Sequence, residues 1–557
     1  MGKMFKLVVY SLILVCLLGC KKKASQEPVQ VPVVSSFSFN SLTVNGLFSG
    51  FDYKGLPPLS TVKISFTSSV NPVSVAGAVA LTDANGQTVP INCSFEHQDS
   101  MLVIQATSPL SFISKYSLSV STGLKSAKGG SLLSAVSVNI STTIDSANKF
   151  AVIPDNDLLT LVQKQTFKYF WDFGHPVSGM ARERNSSGEV VTTGGTGFGI
   201  MAMPVGVERN FIARNDAVTR LLTITDFLKN KAGHFHGAFS HWMNGTSGAV
   251  VPFGDKDNGA DIVETSYMMM GLLTARQYFS GSGTNEVTLR ANIDALWNNV
   301  EWDWFRKNGE NVLYWNWSPD YGFAVNVPVQ GWNECLITYV LAASSTTHSI
   351  PKIVYDNGFA RNGAMKNNNS YYGYPLPLGQ AFGGPLFFEQ YSFMGINPTG
   401  LSDAYANYWT QAVNHSRINY EYCKANPNNY FGYSKVCWGL TASDIQNGYT
   451  ASSPTNDMGV IAPTAAISSM PYTPVESQQA LNFFYYKLGD KLWGSYGFAD
   501  AFSLDSRWFA NSYLAIDQGP QVVMIENFRT GLVWKLFMSC PEVKAGMRSL
   551  GFQSINL

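Results

Sequence analysis

The chain has 557 residues, with 38 acidic and 38 basic side chains and no formal net charge. That balance argues against nucleic acid or another polyanion as partner, because such partners attract proteins through excess Lys and Arg. Charged residues are 14% of the chain and aromatic residues 13%, where about 25% charged is ordinary for a soluble protein; few charges and many rings suit stacking on neutral sugars as well as filling a large core.

Residues 1–19 read as a signal peptide. Lys3 and Lys6 precede an apolar run, Leu7 to Leu18, broken only by Tyr10 and Ser11. The run is too short to span a bilayer. It ends in Leu17-Leu18-Gly19-Cys20, which resembles the bacterial lipoprotein signal, cut before a cysteine that is then acylated. Cys20 is therefore the expected lipid anchor, and residues 20–34, with Lys21, Lys22 and Lys23 and then Ser, Gln and Pro, the flexible tether. Acyl chains would supply the membrane affinity, placing a monomer on the bacterial cell envelope, at its periplasmic or outer-membrane face. Cys423 and Cys437 lie close together in a loop-rich stretch. A bridge between them is open, since spacing does not fix connectivity. No CxxC pair suggests zinc or redox work.

From 35 to 146 the period is that of strands. Val62-Ile64-Phe66, Tyr116-Leu118-Val120 and Val136-Val138-Ile140 alternate, Met101 to Ala106 is a further candidate, and Asn85-Gly86 and Gly129-Gly130 are turns. Short strands at roughly 8–12-residue spacing predict a small β-sandwich. It resembles bacterial Ig-like domains and carries no catalytic constellation, so a spacer role is expected.

From 150 to 557 the period is helical, behind a Pro154-Asp155-Asn156 start signal. Leu159, Val162, Phe170 and Phe173 share a face; so do Val218, Leu221, Leu222, Thr225 and Leu228, and Leu289, Ile293, Leu296 and Val300. Ile262 to Phe279 and Trp332 to Ala343 are apolar nearly all round, which marks buried helices. Further helices are expected near 401–418, 474–488, 506–516, 521–539 and 541–549. Outer amphipathic helices alternating with inner apolar ones predict a mainly α fold, an (α/α)6 barrel, with the long loops 233–260, 309–331 and 424–460 at its mouth.

Glycoside hydrolysis generally needs two carboxyl groups, one to protonate the leaving oxygen and one to activate water or attack carbon. Acids at the starts of apolar helices are therefore the candidates. Asp261 and Glu264 share a helix face, with Asp257 in the preceding turn. A cap explains Asp261 well, but a carboxylate inside an apolar helix, as at Glu264, is costly unless paired or used. Glu334 opens the second apolar helix, where crowding would raise its pKa and suit a general acid; Trp332 is placed to stack on a sugar. Asp517, a loop acid before a late helix, is a candidate substrate contact; Glu526 and Arg529 of that helix read as a structural ion pair. Asp172, Glu389, Asp444 and Asp505 read as structural acids.

His234, His236 and His241 lie beside Trp242. Their spacing matches no zinc pattern, so sugar contacts from His241 and Trp242 are expected rather than a metal. The Gly-rich run from Thr193 to Gly199 follows no βαβ unit and is not a nucleotide loop. No G-x-S-x-G elbow is present.

These blocks together resemble one family. Tyr169-Phe170-Trp171-Asp172-Phe173, Thr193 to Gly199, His236 to Trp242, Asp257 to Tyr267, Gly331-Trp332-Asn333-Glu334, Tyr391 to Gly395, Pro463 to Ala466 and Tyr513 to Pro520 occur in order across about residues 155 to 555. They are similar to glycoside hydrolase family 144, glucoamylase-like. The resemblance implies an (α/α)6 barrel and endo-acting, inverting hydrolysis of β-1,2-glucan to β-1,2-linked gluco-oligosaccharides, with no metal or organic cofactor. It places the cleft acids at Asp257, Asp261, Glu264 and Glu334, the four already reached from the residues. Glu334 is the expected acid; Glu264, Asp261 and Asp517 are open as the base. A glycan-binding lipoprotein without catalysis would not require carboxylates inside apolar helices. A polysaccharide lyase would require positive charge to neutralise a uronate.

Overall fold

The computed structural model describes residues 36–557. The signal peptide, the tether and Cys20 lie outside the described residues. The rest divides into two compact units, one ending at Ile140 and the other comprising Ser141–Leu557 with Ser111–Ser114.

The first unit is a sandwich of two sheets. One has the order β1 (Phe39–Val44), β3 (Thr61–Phe66), β7 (Met101–Ala106), β6 (Ile91–Glu96); the other has β2 (Asp52–Leu56), β9 (Val136–Thr142), β8 (Lys115–Val120), β4 (Val79–Asp83), β5 (Thr88–Val89). Alternation makes the core: Val62, Ile64 and Phe66 of one sheet face inward with Leu118, Val120, Val138 and Ile140 of the other. The Asn85-Gly86 turn joins β4 to β5, with the Asp83 carboxylate accepting from the Asn85 and Gln87 N–H groups at 2.9 Å.

The second unit is an (α/α)6 barrel. Outer helices α1 (Asp155–Trp171), α3 (Arg214–Asn230), α5 (Thr284–Asn298), α7 (Lys352–Val354, continued by a π-turn to Phe359), α8 (Tyr408–Ala425) and α10 (Pro474–Leu492) alternate with inner ones. The inner positions are α2 (Thr193–Glu208), α4 (Ile262–Tyr278), α6 (Leu336–Ser344), a pair of 3-10 turns (Leu386–Glu389 and Ser392–Met394), α9 (Pro463–Ile467) and α11 (Ala515–Arg529). α12 (Leu532–Phe537) and α13 (Pro541–Leu550) close the chain, α13 packing on α6. Outer helices bury one stripe, whereas α2 and α4 are buried almost all round, the division that their apolar patterns predict.

Several elements depart from expectation. The Gly-rich run opens α2 itself. Its glycines permit close helix contact: a methyl group on Gly197 would stand 2.2 Å from the Tyr267 carbonyl oxygen of α4, and one on Gly271 2.2 Å from the Gly197 oxygen. The stretch 506–516 is not a helix but a β-hairpin arm and an extended run; α11 begins at Ala515 and tolerates Pro520 inside it. α6 begins at Leu336, so Glu334 lies in the turn before it, and α8 begins at Tyr408 because Leu401 to Asn407 forms a loop. Glu526 pairs with Arg209 at 2.8 Å through two bonds, while Arg529 donates to Gln163 and Asn156. Cys423 and Cys437 are both free and buried. Among the described residues no helix is long and apolar enough to cross a membrane.

Overpacking a close crossing costs about 1–3 kcal/mol, more than the ~1 kcal/mol of helix propensity that alanine gains over glycine. Gly197→Ala and Gly271→Ala are therefore each expected to destabilise the helical unit by about 1–2 kcal/mol, read as a lower urea midpoint by far-UV circular dichroism. An unchanged midpoint in both would contradict the close α2–α4 crossing.

Candidate active site

The inner helices α2, α4 and α11 begin at the end of the barrel where the acids gather, and helix N-termini favour negative charge. Asp261 is the N-cap of α4: its Oδ1 accepts from the Val263 and Glu264 N–H groups at 3.0 and 2.9 Å. Its Oδ2 meets His241 Nδ1 at 2.8 Å. Glu264, one turn in, accepts from the Gly194 N–H at 2.7 Å. It thus caps α2, whose own N-cap Thr192 makes no side-chain cap bond. The second nitrogen of His241 stands 4.0 Å from Glu264 Oε1. Burial alone would lower the His241 pKa, but the carboxylates of Glu264, Asp261 and Asp257 outweigh it and raise it to about 9. Glu264 is itself raised by burial, with His241 opposing. Asp257 lies in the preceding turn, gripped by the Asn316 amide at 3.1 Å, and burial with the neighbouring Asp261 charge lifts it to about 6.

Glu334 stands in the turn before α6. Burial pushes its carboxyl up to about 7, helped by the charges of Glu264 and Asp261 and opposed by its own backbone N–H. A carboxyl in that range carries a proton near neutrality and can donate it. The Ser392 hydroxyl donates to the Glu334 carbonyl and accepts the Ile337 N–H at 3.0 Å. Trp332, expected as a stacking surface, is 6% exposed and packs among Phe359, Phe393 and Tyr408. Its indole N–H donates to Glu389 at 2.9 Å, so the ring anchors the turn and leaves little face for a sugar.

Asp517, in the first turn of α11, is buried beside Asp500. Burial and the Asp500 and Asp444 charges raise it well above the usual carboxylate range. Asp500 is lifted by burial to about 7, although the Asp444 N–H donates to it at 2.7 Å. Arg184 holds Asp444 at 3.1 Å. Tyr391 lies within reach of both groups of acids: its hydroxyl is raised by burial and then by Asp517, Tyr449, Glu334 and Glu264. A cavity of about 510 Å³ opens beside Arg184, Asp444, Tyr449 and Ser512. Asp500, Arg184 and Tyr449 escaped the sequence reading; Asp500 sits alone between apolar residues in Phe498-Ala499-Asp500-Ala501-Phe502, and that isolation was the available signal.

The three histidines diverge. His236 stacks on Trp304 at 3.7 Å and bonds Glu301 at 2.8 Å, and His234 meets its own loop at Ala232. His241 alone reaches the acids, its ring stacked on Phe253 at 4.0 Å beside partly exposed Trp242. Among the described residues no group of three or more His, Cys, Asp or Glu is arranged to hold a metal.

The chain is similar to known proteins. A family model described as "Putative glucoamylase" matches residues 326–541, and one described as "Bacterial Ig-like domain" matches residues 41–157. The chain is 44% identical over 418 residues to the exo β-1,2-glucooligosaccharide sophorohydrolase (non-reducing end) of Parabacteroides distasonis; the match covers 71% of this chain but only 58% of that relative. The endo-β-1,2-glucanase of Chitinophaga pinensis, solved with sophorotriose and glucose, is 52% identical over 73% of this chain and all (100%) of its own, with a TM-score of 0.71. A "putative glucoamylase" structure from Bacteroides uniformis is 53% identical over 73% of this chain and 100% of its own, with a TM-score of 0.72.

The raised Glu334 carboxyl also makes stability depend on pH. Its folded value of about 7 exceeds the ordinary 4.5, so between those values the folded state binds more protons than the unfolded one. The stability it contributes is present below pH 4.5 and lost as pH rises through about 7. Wild type is expected to lose urea stability relative to Glu334→Gln across that window, and to hold a constant difference at higher pH. Parallel curves would show that this carboxyl is not held in its neutral form.

Proposed function

The chain belongs to the glucoamylase-like family of glycoside hydrolases, family 144, and we propose that it is an endo-acting β-1,2-glucanase releasing β-1,2-linked gluco-oligosaccharides with inversion. The observation that carries the reading is Glu334: a carboxyl with a pKa raised to about 7, beside Glu264 and Asp261, which accept from the α2 N-terminus and meet His241 respectively. Glu334 protonates the glycosidic oxygen as its bond to the anomeric carbon breaks. A base on the other face takes a proton from water while the water oxygen attacks that carbon, which inverts the centre. Glu264, Asp261 and Asp517 are the candidates for that base, and Asp257 helps set the charge around them. Trp242 and His241 supply sugar contacts. The lipid on Cys20 holds the monomer to the cell envelope, with the Ig-like unit as spacer.

The substrate follows from the relatives, one named for releasing sophorose from non-reducing ends and the other an endo-glucanase. Size-resolved products of linear β-1,2-glucan distinguish the two modes: endo action gives a spread of mid-length oligosaccharides early, exo action gives sophorose from the start. A ladder from β-1,2-glucan, and none from β-1,3-glucan or starch, is expected. Removing a general acid or base generally costs about 10²–10⁴-fold, so Glu334→Gln and Glu264→Gln should each lose that much. Wild-type kcat/KM should fall as pH rises past about 7, where Glu334 loses its proton. Tight glucan binding with no cleavage under any condition would instead make the protein a glycan-binding lipoprotein.

A further inference from the structure

Glu389 read from sequence as a structural acid, and it lies at the one inner position of the barrel that is not an α-helix. Its side chain is 0% exposed. One oxygen, Oε1, collects three donors: Trp332 Nε1 at 2.9 Å, Gln411 Nε2 at 2.8 Å and His415 Nδ1 at 2.9 Å. The other nitrogen of His415 faces the Gly384 carbonyl at 3.0 Å. Both ring nitrogens therefore face oxygen acceptors. Tyr472 fixes the Glu389 backbone by donating to its carbonyl at 3.1 Å.

Burying Trp332 does not require this arrangement, since Phe359, Phe393 and Tyr408 already enclose the ring. A buried carboxylate is costly even when paired. What it adds is direction: it fixes the rotation of the indole by its N–H. Trp332 is two residues ahead of Glu334. Ser392, three residues beyond Glu389, holds the Glu334 carbonyl and the start of α6. One short segment, Glu389 to Ser392, thus grips the Glu334 turn on both sides. Glu334 precedes α6, so the helical hydrogen-bond ladder does not set its position.

We propose that Glu389, braced by His415 and Gln411, is a positioning residue that aims the Glu334 carboxyl at the glycosidic oxygen through Trp332. The inference rests on Glu334 acting as general acid. A misplacement of about 1 Å at such a group can cost on the order of a hundredfold.

Two substrates test it. β-1,2-Glucan leaves as a sugar hydroxyl that must be protonated; a dinitrophenyl β-glycoside of a β-1,2-linked gluco-oligosaccharide leaves as a stable phenolate that need not be. Glu334→Gln sets the scale: it should be crippled on glucan and largely active on the aryl substrate. If both activities fall together there, the assignment of Glu334 fails, and the inference with it. With that control in hand, Glu389→Gln should lose about tenfold to a hundredfold in kcat on glucan, with KM little changed, most aryl activity kept and the alkaline limb of the pH profile moved. Equal losses on both substrates, or no loss on glucan, would overturn the proposal. Should Glu389→Gln not accumulate as folded protein, Gln411→Met removes one donor from the same oxygen and should show the same split in smaller measure; equal losses there overturn the proposal as well.

Discussion

The structure turns on how buried carboxyl groups are answered at the start of α4. Asp261 and Glu264 sit where the chain is otherwise apolar, and a carboxylate there is expensive unless answered. Two answers are built in. Backbone N–H groups of α4 and α2 donate to them, and the His241 ring bridges toward both. The negative charge on α4 in turn helps keep Glu334 neutral, because like charges nearby disfavour ionisation. The hydrogen bonds that answer one pair of acids stand beside a third, Glu334, that burial and their charges push up to about 7.

That electrostatic division depends on the barrel. Inner helices can bring their N-termini together only if they cross closely, and the glycines of α2 allow it. The Gly-rich opening of α2 therefore serves two ends: it lets α4 approach, and it leaves a bare N–H for Glu264. The irregular inner position between α6 and α9 is the counterpart on the Glu334 side. There, 3-10 turns replace a helix and offer side chains, Glu389 and Ser392, to the turn that carries the acid.

Where a single physical signal acted locally, the sequence was legible. The strands of the sandwich follow from alternation, and α4 matches its expected span within a residue because its apolar run is long and Asp261 caps its start. The signal failed where tertiary contact overrides propensity. Five glycines and Pro204 hid α2, which is helical because its neighbours enclose it. Pro520 hid the start of α11, and the aromatic stretch 506–516 looked helical when it forms a hairpin arm. At the site, Asp257, Asp261, Glu264 and Glu334 stood out as acids beside apolar runs, and Asp517 by its place before a helix. The histidine cluster was a sequence coincidence: three residues within one loop point to three different neighbours. Asp500 and the long-range partners of Glu389 depend on residues far apart in the chain, and no local period announces them.

The most direct measurement is a crystal structure of Glu334→Gln bound to a β-1,2-linked gluco-oligosaccharide long enough to cross the site. The glycosidic oxygen should lie within hydrogen-bond distance of the residue 334 amide, with a water on the opposite face of the sugar held by Glu264, Asp261 or Asp517. A chain bound elsewhere on the barrel, or crossing the mouth with its glycosidic oxygens away from residue 334, would contradict the assignment of Glu334 as the acid.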